Sequence, residues 1–177
     1  MADYVDEIAR TGFPGLRRLD GRALRRQIDG YVSRIVEADF REQGYSVRRP
    51  QVLSAWLRAY GAATSTAASF ETIRDAATGG QSDKPARKTT EPYRVILSRL
   101  WILDPLPPWI PSRNTLNRLS RSPKHHLVDP GLAVRLLGID RAGLLSGDEA
   151  GSPIAERGQL LGNLFESLVT LCLRIYA

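Results

Sequence analysis

The sequence predicts a mainly α-helical chain with a small β component. Apolar residues recur at three- and four-residue spacing across 24–35, 53–60, 93–100 and 160–176, while Ser, Thr or Pro opens several of these stretches. Only two short apolar segments, 101–110 and 125–128, read as extended.

In chain order, Gly12-Phe13-Pro14-Gly15 is a turn, because proline and two glycines break any periodicity. Leu24, Ile28, Tyr31 and Ile35, with arginines between them, predict an amphipathic helix ending near Asp39-Phe40. Leu53, Trp56, Leu57 and Tyr60 predict a second helix, opened by Pro50 and followed by the small polar Thr64-Ser65-Thr66. Ser69 is the expected cap of a third, with Phe70, Ile73 and Ala77 on one face. The segment 79–85 is a loop. Thr89-Thr90-Glu91-Pro92 then predicts a helix start: a threonine cap, an acid at the positive dipole end and proline in the first turn. That helix carries Tyr93, Ile96, Leu97 and Leu100 inward, with Arg94 and Ser98 on another face.

The proline-punctuated run 101–110 predicts two short extended segments around a tight turn, and 111–123 a polar, basic connector. His125-His126-Leu127-Val128 reads as a short strand, and Asp129-Pro130 starts a helix through Leu137. The Gly-, Asp- and Ser-rich 143–152 is a flexible break. In the final helix Leu161, Leu164, Phe165, Leu168, Cys172 and Ile175 form a wide apolar stripe, whose cover must come from earlier residues or another polypeptide.

The 177 residues, 42% apolar, suit one domain or two small subdomains. No stretch free of charges is long enough to cross a bilayer, so no membrane partner is expected. The acidic N-terminus is unlike a signal peptide, and the single cysteine suits a reducing compartment; a cytoplasmic location is expected. Cys172 itself reads as a small buried hydrophobe. The net charge of +6 is carried by arginine, since the lysines are Lys84, Lys88 and Lys124. It permits a nucleic-acid partner without demanding one.

Helix, turn, capped helix and hairpin, over 69–77, 90–100 and 101–110, is the order of a winged helix-turn-helix. In a version binding duplex DNA, Arg94 and Ser98 face the major groove while Lys84, Arg87 and Lys88 contact phosphates. The same unit also serves as a packing or protein-interaction module. His125 and His126 are adjacent in a strand and point to opposite faces, so they read as structural or exposed, not as metal ligands. No Gly-x-x-x-x-Gly-Lys-Ser/Thr loop occurs: Gly79-Gly80 with Lys84 lacks the hydroxyl residue and is followed by Pro85. A Gly-x-Ser-x-Gly elbow is also missing. No catalytic residue, metal or cofactor is assigned, and Glu166 reads as the solvent side of the last helix.

Several motifs stand together in order: Gly12-Phe13-Pro14, Asp39-Phe40, the 69–77 helix, Leu100-Trp101-Ile102-Leu103-Asp104, the stretch from Pro123 to Pro130, and Leu161-Gly162-Asn163-Leu164-Phe165-Glu166. In this the chain resembles the C-terminal half of bacterial AAA-type ATP-binding proteins of the domain of unknown function 4143 family. The resemblance implies a helical lid-like segment over 1–48, a winged-helix-like domain over 49–111, and over 112–177 the start of a truncated, restriction-endonuclease-like α/β domain. It further implies that the ATPase core is missing before Met1, and that Glu166 is the first acidic position of the nuclease-like fold. The remaining metal ligands would lie past Ala177, and a lone carboxylate cannot build a phosphodiester-cleaving metal site. The expectation is therefore an accessory, non-catalytic interaction module. The alternatives are a stand-alone winged-helix DNA-binding regulator and a subunit of an ATPase whose nucleotide site is on another chain. Self-association through the C-terminal helix is a further expected contact.

Overall fold

A computed structural model describes residues 2–78, 85–109, 122–145 and 154–176, with side chains of the last segment from 158 on. Its architecture is mainly helical. The helices are α1 (Ala2–Arg10), α2 (Gly21–Arg34), α3 (Phe40–Glu42), α4 (Pro50–Ala62), α5 (Phe70–Ala76), α6 (Arg87–Arg99), α7 (Pro130–Leu136), α8 (Arg141–Leu145) and α9 (Ile154–Tyr176). Between α2 and α3 runs a π-helical turn, Ile35–Asp39, in which the Phe40 N–H donates to the Ile35 carbonyl. That wider turn brings Ile35, Val36 and Phe40 into the core together.

Helix α4 is the hub. Proline at its first position needs no N–H partner there, and its Leu53, Trp56, Leu57 and Tyr60 are all buried. It packs against α5, α6, α7 and the π turn. Trp56 stacks on Tyr60 with centroids 5.4 Å apart and meets the edge of Tyr93, which in turn touches Phe40 and Tyr45. Offset and edge-on rings of this kind bury much area in defined orientations. One cluster of buried residues runs from Val5 on α1 to Leu164 on α9.

Asp129 ties the turn after α1 to α7. Its Oδ1 accepts from Leu132 N–H at 3.2 Å, capping α7 as expected, and Oδ2 accepts from Gly12 N–H at 2.5 Å. The turn after α1 is thereby held to the start of α7. Gly131 allows the close approach: a Cβ there would stand 2.9 Å from Asp129 Oδ1 and 3.0 Å from the Ile8 carbonyl oxygen.

The β component differs from the expected hairpin. Residues 102–106 pair antiparallel with 124–128, not with a strand inside 101–110: Leu103 opposes Leu127 and Leu106 opposes Lys124. Thr64 bridges His125 in parallel on the other edge, and Ser65 N–H donates to the His125 carbonyl at 2.7 Å. Prolines 105, 107 and 108 lack the N–H groups a local ladder needs, so the partner comes from the distant His125 strand.

Three further expectations are corrected. Helix α6 begins at Arg87 behind Ala86, not at a threonine cap, so Thr89, Thr90 and Pro92 lie inside it; burial of Tyr93, Ile96 and Leu97 sustains the helix through the proline. Gly143 belongs to α8, not to a break. Cys172 is exposed, because only one side of α9, with Leu164 and Ser167, faces the core. Phe165, Ile175 and Tyr176 are exposed on its remaining surface. Helix α1 went unread in the sequence, although Val5 and Ile8 show the three-residue spacing. The loop at 79–84, most of the 111–123 connector and residues 146–153 lie outside the described residues. Among the described residues no helix is long and apolar enough to cross a membrane.

Candidate nucleic-acid interface

Helices α5 and α6 rest on α4 and leave a cleft between them. Helix α5 starts as the sequence predicts, with Ser69 Oγ accepting from Thr72 N–H at 3.0 Å. Ile73 anchors it to the core, which leaves Phe70 and Arg74, one turn apart, lining the cleft. On α6 the inward Tyr93, Ile96 and Leu97 set the opposite stripe: Arg87, Glu91, Arg94 and Ser98 follow one another at four- and three-residue steps. The cleft encloses about 270 Å³ over Trp56 and Phe70, with Arg74, Arg87 and Arg94 around it and Glu71 and Glu91 between.

Each cation is held differently. The Arg94 guanidinium lies 4.6 Å from the Phe70 ring centre, a cation–π contact that orients it without neutralising it. Arg74 donates from Nη2 to Glu71 Oε1 at 2.8 Å, while its buried Nε–H finds no hydrogen-bond acceptor among the described residues. Arg87 is exposed at the helix start. Lys88 is exposed on the other flank of α6, where it shares a shallow groove with Tyr45, Val95 and Arg99. Ser98 is exposed and Lys84 lies outside the described residues. The structure thus gathers Arg87 and Arg94 in one cleft, sets Lys88 on the opposite flank of α6, and adds Arg74 and Phe70 to the cleft. Arg74 went unread in the sequence, and Phe70 was read only as part of an apolar face with Ile73 and Ala77; their i, i+4 spacing on a short helix before a loop was the available signal.

The cleft is coupled to the β ribbon. Phe70 meets the His125 ring edge-on at 4.9 Å. His125 Nε2 lies 2.7 Å from the Ala68 carbonyl oxygen and so carries the proton, leaving Nδ1 to face the Tyr60 hydroxyl at 3.3 Å. Burial holds the His125 pKa below the ordinary histidine value and pushes the Tyr60 phenol up. His126, on the opposite face, is equally buried, with Nδ1 3.5 Å from Ser65 Oγ and Nε2 unpartnered among the described residues. Burial lowers its pKa too, against the pull of Glu166 and Asp104. Both histidine side chains are buried.

At the end of α6 Trp101 takes a left-handed conformation, φ +59°, while Ile102 N–H reaches back to the Leu97 carbonyl at 2.9 Å. A tryptophan there costs roughly 1–2 kcal/mol in backbone strain. Its ring is 79% exposed, and that of Trp109 is 85% exposed. Glu166 sits apart from the cleft, its carboxylate 2.5 Å from Lys124 Nζ. Among the described residues no three His, Cys, Asp or Glu side chains group to hold a metal ion.

No curated protein and no solved structure matches the chain. A family model described as a domain of unknown function, DUF8612, matches residues 1–143, and the chain belongs to that family.

Proposed function

We propose that the chain is a non-catalytic interaction module of winged-helix type that contacts duplex DNA through α6. The observation that carries this reading is the stripe of Arg87 and Arg94, which form no ion pair among the described residues, with Lys88 on the other flank, on the helix that follows α5 and precedes an antiparallel ribbon. Helix, helix and ribbon in that order suit a recognition helix backed by a wing. Ser98 faces base edges, Arg94 sits in the α5–α6 cleft beside it, and Lys84, Arg87 and Lys88 take phosphates. By its ordered motifs the module is an accessory part of a cytoplasmic, AAA-type ATP-binding system, with Glu166 at the first position of a nuclease-like segment. Binding of a labelled duplex, followed by anisotropy, should fall with salt at a log–log slope of about −3 for three neutralised phosphates. Arg94→Ala and Lys88→Ala should each weaken it. Absence of binding at low salt, or variants that bind like the parent, would overturn the reading.

A second reading has its own observation. Leu173, Ile175 and Tyr176 of α9 are 63%, 64% and 86% exposed, a surface suited to a separate ATPase chain or a second copy. Light scattering of the chain and of its Leu173→Glu variant tests self-association: one monomeric mass for both removes the second copy.

A further inference from the structure

We propose that the α5–α6 cleft is a phosphate seat, in which Arg74, Arg87 and Arg94 together take one phosphoryl group of the bound nucleic acid. The inference rests on the reading of α6 as the nucleic-acid-facing helix and names what that helix and its neighbour grip.

The cleft is concave, about 270 Å³, and so holds a group inserted between the helices better than one lying across a flat face. Its donors outnumber its acceptors. Arg94 is pinned over Phe70 without a carboxylate partner among the described residues, and Arg87 opens onto the same space. Arg74 is the decisive one. Its side chain is only 14% exposed, the Asp75 carboxylate stands 3.6 Å from Nε, and its hydrogen-bonded partner Glu71 is 73% exposed. Both carboxylates stand well out in water, Asp75 at 48% exposure, and a water-facing carboxylate screens a recessed guanidinium poorly. A planar guanidinium fork matches the oxygens of a phosphoryl group, and forks from two helices can clamp it from both sides. Glu71 and Glu91 line the cleft at exposed positions, so its acids face water while Arg94 and Arg74 are the more recessed charges.

The test uses the full chain, a labelled duplex with and without a 5′-phosphate, and inorganic phosphate as the free probe. Phosphate should compete with the duplex beyond an equal ionic strength of chloride, with a Kd on the order of millimolar. Arg74→Gln should weaken phosphate and duplex alike by about tenfold, the loss of one charged hydrogen bond, and Arg74→Lys should recover part of it. Arg94→Gln is the second variant, should Arg74→Gln not fold. Lys88→Gln, on the far flank of α6, should weaken the duplex alone. A gain on 5′-phosphorylation points to a strand end, and equal affinity to the backbone; both support the seat. If duplex binds but phosphate competes no better than chloride, or Arg74→Gln binds like the parent, the seat is overturned while the α6 reading stands. Phosphate bound through Arg74 without any duplex binding keeps the seat and overturns that reading.

Discussion

Asp129→Ala tests how the chain holds the turn after α1 to the helix start that follows the β ribbon. The Asp129 side chain is almost fully buried and satisfies two backbone donors 120 residues apart in sequence, Gly12 and Leu132 (132 − 12 = 120). Removing the cap on Leu132 costs about 1 kcal/mol. Losing the charged bond from Gly12 N–H costs about 1.5–3 kcal/mol. The sum is about 3 kcal/mol, less whatever is recovered by no longer burying a carboxylate. For a chain of this size that corresponds to a fall in Tm of roughly 6–12 °C, measured by circular dichroism at 222 nm. Hydrogen exchange adds a local readout, because the Gly12 amide should lose protection before the amides of α4 do. A fall below about 2 °C would show that the two bonds contribute little and that α1 is held by burial of Val5 and Ile8 and by its other contacts, such as Asp6–Arg141 and Tyr4–Phe165.

The other predictions are independent of that one. Gly131→Ala should destabilise by about 1–3 kcal/mol through overpacking against Ile8 and Asp129, whereas Gly30→Ala on α2 should stabilise by about 0.5–1 kcal/mol; denaturant midpoints compare them, and equal shifts would refute the packing argument. His125 and His126 both have pKa values lowered by burial. Below pH 6.5 the unfolded chain therefore binds protons that the folded chain refuses, and stability falls with pH by up to about 1.4 kcal/mol per unit for each histidine. Chemical denaturation between pH 5 and 8 reads this; a double His125→Gln, His126→Gln variant should show a flatter profile. Cys172 should react with a thiol reagent in the native protein, as fast as in denaturant to within a few-fold, since it is exposed. Protection of that thiol in a dimer would instead place it under a partner.

The sequence by itself determined the features that close within one or two helical turns. The α4 stripe of Leu53, Trp56, Leu57 and Tyr60 behind Pro50, the Ser69 cap of α5 and the Asp129 cap of α7 are settled by residues three or four apart, so periodicity and capping chemistry reveal them. Arg94 was legible as a candidate contact for the same reason, because α6 buries Tyr93, Ile96 and Leu97 and turns the remaining faces outward, whereas Arg87 was read as a loop cation ahead of the helix. Only the tertiary structure decided which strand pairs with 102–106, since hydrogen bonds to 124–128 join segments that no local pattern connects. It alone decided that α6 starts at Arg87, where packing of the inner face outweighs a proline in the second turn. It also decided that Cys172 faces out and that Phe70 and Arg74 of α5 meet the arginines of α6 in one cleft. Spacing along one helix says which side chains share a face; what stands opposite that face depends on how separate helices pack, and no single helix encodes it.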